Sequence, residues 1–159
     1  MLVKAKSARE TIAATKLRRT HRNSSGSSKM KHISAHAWLT SIQRDEEVAI
    51  SEFILAELYG LLRNSAVLKH PLPADEAVEV IQIYRTHPRW RLIGFPTESR
   101  PLHDTLWQKA RSKDFAFRKI YDTRSALTMT AQGVTELATV NVKDFEGLGF
   151  RKVWNPLTS

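Results

Sequence analysis

At 159 residues, with 42% apolar side chains and no cysteine, the chain is sized for one domain around one core and excludes disulfides, thiolate metal sites and a thiol nucleophile. It contains no run of about 18 apolar residues to cross a bilayer and no secretory apolar core, so no membrane role and a reducing cytoplasm are expected. The net charge of +9 falls entirely in residues 1–44, which hold ten Lys or Arg and one acid, Glu10; residues 45–159 carry fifteen charges of each sign.

The basic excess therefore belongs to a separate stretch. From Lys16 through Arg18, Arg19 and Arg22 to Ser24, Ser25, Gly26, Ser27, Ser28 and Lys29 there is no hydrophobic period, and the Ser and Gly content offers too little apolar surface to offset ordering. Residues 1–31 read as a basic, Ser-rich, flexible arm preceding a domain at 32–159. Lys and Arg gain affinity for phosphates by releasing counterions, so an RNA-binding arm, a solvated tail and a segment foreign to the fold all remain open.

Regular patterning begins at Ile33, with Ala37, Trp38 and Ile42 on one predicted helical stripe that ends at the charged turn Arg44-Asp45-Glu46-Glu47. Val48-Ala49-Ile50 is a short buried strand. Ser51 then caps a helix in which Ile54, Leu58, Leu61 and Leu62 share a face, running to about Asn64. A third helix spans Asp75 to about His87, with Val78, Ile81 and Tyr84 at threefold spacing, an acidic first turn and Pro88 as its stop. Trp90–Phe95 is a strand, Ser99 to about Lys113 a helix with Pro101 near its start, and Arg118–Gln132 a helix closed by Gly133. Strands at Glu136–Val140 and near Lys152–Trp154 complete an alternation that predicts an α/β domain with a mostly parallel sheet and a ligand crevice at the strands' carboxyl ends.

Three acids stand at that expected crevice. Glu57 borders the stripe of its helix, Asp122 opens a helix whose Ala126 and Met129 follow at i+4 and i+7, and Asp144 follows the strand ending at Val140. Each has an ordinary reading: a solvated helix acid, a helix-dipole partner and a turn residue. Their common end of the sheet suggests instead oxygen ligation of Mg²⁺, which uses one or two carboxylates and retains waters. The histidines offer no competing zinc site, since His32 and His36 lack the Glu of the zinc-protease pattern.

At these positions the sequence resembles the PIN-domain ribonucleases, and specifically the VapC-like toxins of type II toxin-antitoxin systems. The resemblance rests on Ile50-Ser51-Glu52-Phe53-Ile54-Leu55-Ala56-Glu57-Leu58, on Tyr121-Asp122-Thr123-Arg124-Ser125-Ala126-Leu127, and on Ala138-Thr139-Val140-Asn141-Val142-Lys143-Asp144-Phe145 with Trp154-Asn155-Pro156-Leu157 at the end. It implies a PIN-like fold, a central mostly parallel sheet flanked by helices, and Mg²⁺-dependent endoribonuclease activity, with Mn²⁺ as an alternative ion. Glu57, Asp122 and Asp144 would be the catalytic and metal-binding acids, and Asn141 and Thr139 supporting polar groups. RNA as substrate, a cognate antitoxin and a homodimer are implied with them.

The beginning of the chain departs from that family. Its members open with an apolar strand running into Asp-Thr-Asn, which supplies the first metal-binding Asp and the middle strand of the sheet. Here Met1-Leu2-Val3 leads to Lys4-Ala5-Lys6, and Asp45 is the first aspartate. The first strand is thus expected to be missing or degraded, with residues of about 4–31 an out-of-frame or replaced segment and Thr11–Thr15 the apolar stretch able to substitute. Activity impaired by loss of the first Asp is the leading expectation; a catalytically inactive remnant that binds RNA or an antitoxin is the alternative.

Overall fold

The structure, a computed structural model, describes residues 3–4 and 25–158. In chain order the elements are β1 (Val3–Lys4), α1 (Ser25–Ile42), β2 (Val48–Ser51), α2 (Glu52–Leu62), α3 (Ala74–Arg85), β3 (Arg91–Ile93), α4 (Arg100–Ala110), α5 (Lys119–Ala131), β4 (Glu136–Ala138), α6 (Val142–Phe145) and β5 (Lys152–Trp154). They form an α/β domain with a five-stranded sheet in the order β3-β2-β1-β4-β5. β2 pairs parallel with β3, and β4 parallel with β5. The helices and short parallel strand pairs are those of the α/β domain expected from the sequence.

The middle strand, β1, is two residues long and runs against its neighbours. Val3 faces Ala49, while Lys4 faces Val48 on one side and Glu136 on the other, both pairings antiparallel. β2 through β5 therefore all point one way, and the middle strand points the other. It gives backbone partners to the inner edges of β2 and β4, which would otherwise expose unpaired N–H and C=O groups in the centre of the sheet. Because Lys4 lies opposite the first residues of β2 and β4, β1 ends at the side of the sheet away from the carboxyl ends of the other four strands. Residues 5–24 of the basic arm, Thr11–Thr15 among them, lie outside the described residues; α1 begins within the expected arm and crosses the boundary at residue 32.

Ile42, Val48, Ile50, Ile54, Leu55, Ile93, Met129, Leu137 and Phe145 form a continuous core. Every residue of β2 is buried, as a strand covered on both faces requires. Ser51 caps α2, its Oγ accepting from the Phe53 N–H at 3.3 Å. On α1 the contact with the core comes from Trp38, Leu39 and Ile42, while Ile33 is 60% exposed and lies off the working face. α3 likewise buries Ala77 and packs Ile81 and Tyr84, leaving Val78 exposed, because the i, i+4, i+7 row and not threefold spacing follows a helix of 3.6 residues per turn. α5 ends in a Schellman pair: the Gly133 N–H donates to the Thr130 carbonyl at 3.0 Å and the Val134 N–H to the Met129 carbonyl at 3.0 Å, with Gly133 at φ +83°.

Candidate functional site

Four strands deliver their carboxyl ends to one edge of the sheet, and the expected functional residues follow from there. From β2 the chain passes through buried Ser51 directly into α2, so Phe53 stands beside the edge. From β3 it runs to Phe95, whose ring meets Phe53 edge-on with centroids 4.8 Å apart. The Arg124 guanidinium, on the second turn of α5, lies over the Phe53 ring at 4.7 Å. This cation–π contact brings the beginning of α5 to the edge where β2 and β3 end.

Asp122 opens that helix and is 7% exposed, within a row of buried residues that includes Thr123, Ala126 and Met129. The row explains its burial: Ala126 and Met129 carry the face of α5 that packs on the core, and an acid four residues before Ala126 projects from the same face. Its place in the first turn suits the positive end of the helix dipole. The neighbouring Thr123 Oγ1 and Arg124 Nε are buried and make no hydrogen bond.

On the other side of the sheet centre, β4 ends at Ala138 and Thr139 is fully buried. Thr139 is held by its backbone N–H donating to the Trp154 carbonyl at 2.8 Å, and its Oγ1 accepts from the Asn141 N–H at 3.1 Å. That bond turns the chain into α6, with Asn141 at its N-cap and the Asp144 N–H donating to the Asn141 carbonyl at 3.1 Å. Phe145, fully buried, locks α6 to the core, and α6 packs against α5. Asn141 Nδ2 is buried without a hydrogen-bond partner, while Asp144 is half-buried.

Glu57 differs from both. The sequence pattern places it beside the apolar stripe, whereas in the structure it lies on the exposed face of α2. The buried pair is Ile54 and Leu55, not the Ile54–Leu58–Leu61 row alone. The centre of the buried face therefore shifts, leaving Glu57 about 110° away around the helix. Among the described residues, no three His, Asp or Glu side chains gather closely enough to hold a metal ion.

Arg124 and the Phe53–Phe95 pair were not singled out by the sequence pattern. Arg124 stands two residues after Asp122, which is the signal available for it; nothing local in the sequence joins Phe53 to Phe95, which are brought together by the parallel pairing of β2 and β3.

No family model matches the chain. It is 40% identical over 129 residues to the protein named Ribonuclease VapC24 of Mycobacterium tuberculosis strain CDC 1551 / Oshkosh, covering 81% of this chain and 86% of that relative. The same identity and coverage hold for Ribonuclease VapC24 of strain ATCC 25618 / H37Rv.

Proposed function

Because the chain belongs to the VapC-like family of PIN-domain ribonuclease toxins, we propose that it is a toxin-type endoribonuclease, hydrolysing phosphodiester bonds of RNA at the edge where Asp122, Asn141 and Asp144 stand. The observation that carries this reading is the burial of Asp122 at the opening of α5, beside α6, in a chain that matches a ribonuclease over four-fifths of its length. A buried acid is held in a fixed position, and phosphoryl chemistry depends on positioning and electrostatics more than on covalent participation.

Mg²⁺, replaceable by Mn²⁺, is the proposed cofactor; such an ion neutralises charge on a phosphate and acidifies water. Glu57, Asp122 and Asp144 would hold it directly or through water, with Asn141 and Thr139 as supporting polar groups. We further propose that the chain is impaired relative to its relatives. β1 runs antiparallel to both neighbours and no Asp precedes Asp45, so the middle strand brings no Asp to the carboxyl edge. An antitoxin partner, a homodimer and a cytoplasmic location complete the proposal.

The test is cleavage of labelled RNA by purified chain with Mg²⁺, with EDTA, and with the Asp122→Asn variant. Slow cleavage that needs the metal and falls by at least about 100-fold in Asp122→Asn is the expected result. RNA binding with equal, metal-independent behaviour in both proteins would leave the inactive RNA-binding remnant as the better description.

A further inference from the structure

A cleft of about 220 Å³ lies between α4 and α5, lined by His103, Leu106, Trp107, Ile120, Tyr121 and Arg124. Its inner wall is apolar, Leu106 being buried, and its mouth is aromatic: Trp107 is 58% and Tyr121 65% exposed, with Phe117 nearby in sequence at 80%. Large aromatic side chains concentrated at one exposed place generally mark a binding surface. The polar groups lining the cleft are few. Arg124 Nε is a buried donor with no acceptor. His103 Nδ1 donates to the Ser99 carbonyl at 2.8 Å, which ties the ring to the start of α4.

Charge selects the occupant. Residues 100–124 carry seven Lys or Arg and three acids, whereas the remainder of 45–159 carries eight and twelve. The neutral body is therefore divided, and its positive part is the segment that carries the cleft, with Arg100, Lys109, Arg111, Lys113 and Arg118 all exposed. A flat ligand with apolar faces, a polar edge and a polyanionic backbone fits this combination, and an unpaired nucleotide of single-stranded RNA has all three features. The cleft also adjoins the reaction site, because Tyr121 and Arg124 flank Asp122 on one helix.

We propose that the α4–α5 cleft is a base-stacking subsite for single-stranded RNA, in which Trp107 and Tyr121 receive an unpaired base and the surrounding cations hold the adjoining phosphates. This rests on the ribonuclease reading and deepens it: a base seated beside Asp122 fixes where along the strand the scissile phosphate falls. Substrate is then recognised as unpaired RNA by stacking, and held in place by charge that salt weakens.

The test uses the full chain and a fluorescently labelled unstructured RNA oligonucleotide, titrated in EDTA so that binding is read without cleavage. Trp107→Ala is expected to weaken binding by about 10- to 100-fold, Trp107→Phe to retain most of the affinity, and the same RNA annealed into a duplex to bind at least about 10-fold less tightly than the single strand. Ile83→Ala, exposed on α3 outside the cleft, is the control expected to leave affinity unchanged. In parallel, photocrosslinking of a thiouridine-labelled strand to the unaltered chain is expected to give adducts on peptides from residues 100–124, a readout independent of whether any variant folds.

Equal affinity of Trp107→Ala and the unaltered chain, with RNA still cleaved, would overturn the subsite and leave the ribonuclease reading standing. Absence of both RNA binding and cleavage in the unaltered chain would overturn the two together. A dimer in solution that Trp107→Ala converts to monomer, or an antitoxin whose binding that variant abolishes while RNA affinity is unchanged, would assign the face to a protein partner and refute the proposal.

Discussion

Replacing Phe145 with Ala tests how the closing acidic turn is held. α6 is four residues long, far below the length at which a helix is stable alone, so its position depends on what its side chains bury. Phe145 is fully buried in the core beside Phe150, with ring centroids 6.5 Å apart. Truncating a buried Phe to Ala costs about 3–5 kcal/mol, a large share of the roughly 5–15 kcal/mol that holds a domain folded. With a urea dependence of about 2 kcal/mol per molar, the unfolding midpoint should fall by about 1.5–2.5 M. Phe145→Leu keeps most of the volume and should cost about 1 kcal/mol. In the Leu variant the protein remains folded, so any fall in RNA cleavage reports displacement of Asn141 and Asp144 and not unfolding. A midpoint shift below about 0.5 M for Phe145→Ala would show that Phe145 does not anchor α6, and the argument for a fixed Asp144 would fail with it.

Gly133 stands at φ +83° with nothing within 4 Å of the position a β-carbon would take, so Gly133→Ala should cost only the backbone strain of a left-handed residue, about 1–2 kcal/mol. A thermal midpoint lowered by a few degrees is expected, and an unchanged one would refute the capping role. His87 has a pKa lowered from 6.5, first by burial and then by the nearby Arg89 charge, and its Nδ1 accepts from the Arg89 N–H at 3.4 Å. The unfolded chain therefore binds the proton more readily: the stability associated with neutral His87 is present above about pH 6.5 and is lost as pH falls through its lower folded value. Urea midpoints of the unaltered chain and His87→Gln, compared at about pH 7.5 and pH 5.5, should converge at the lower pH; a constant difference would contradict this.

Much of the architecture was local in origin and so could be read from residue order. The β2 core run, the Ser51 cap, the stop at Gly133 and the opening of α5 at Asp122 each depend on a few adjacent residues whose backbone preferences and periodicity act before any distant contact forms. The expected alternation of helix and strand, and the placement of Asp122, Asn141 and Asp144 after or before the carboxyl ends, came from the same source.

What periodicity left undetermined was which side of a stripe wins. Glu57 is exposed because Leu55 joins Ile54 in facing the core, a choice made by the elements packed on α2 and not by α2 itself. Ile33 and Val78 were drawn off their expected faces in the same manner. The middle strand is the clearest case: Val3–Lys4 have too little pattern to specify a strand or its direction, and their place comes from pairing with the inner edges of β2 and β4. The sequence alone thus determined that acids and an α/β frame would occur in family order. Only the tertiary structure decided that the middle strand runs against its neighbours, because pairing between distant strands is a property of the assembled sheet.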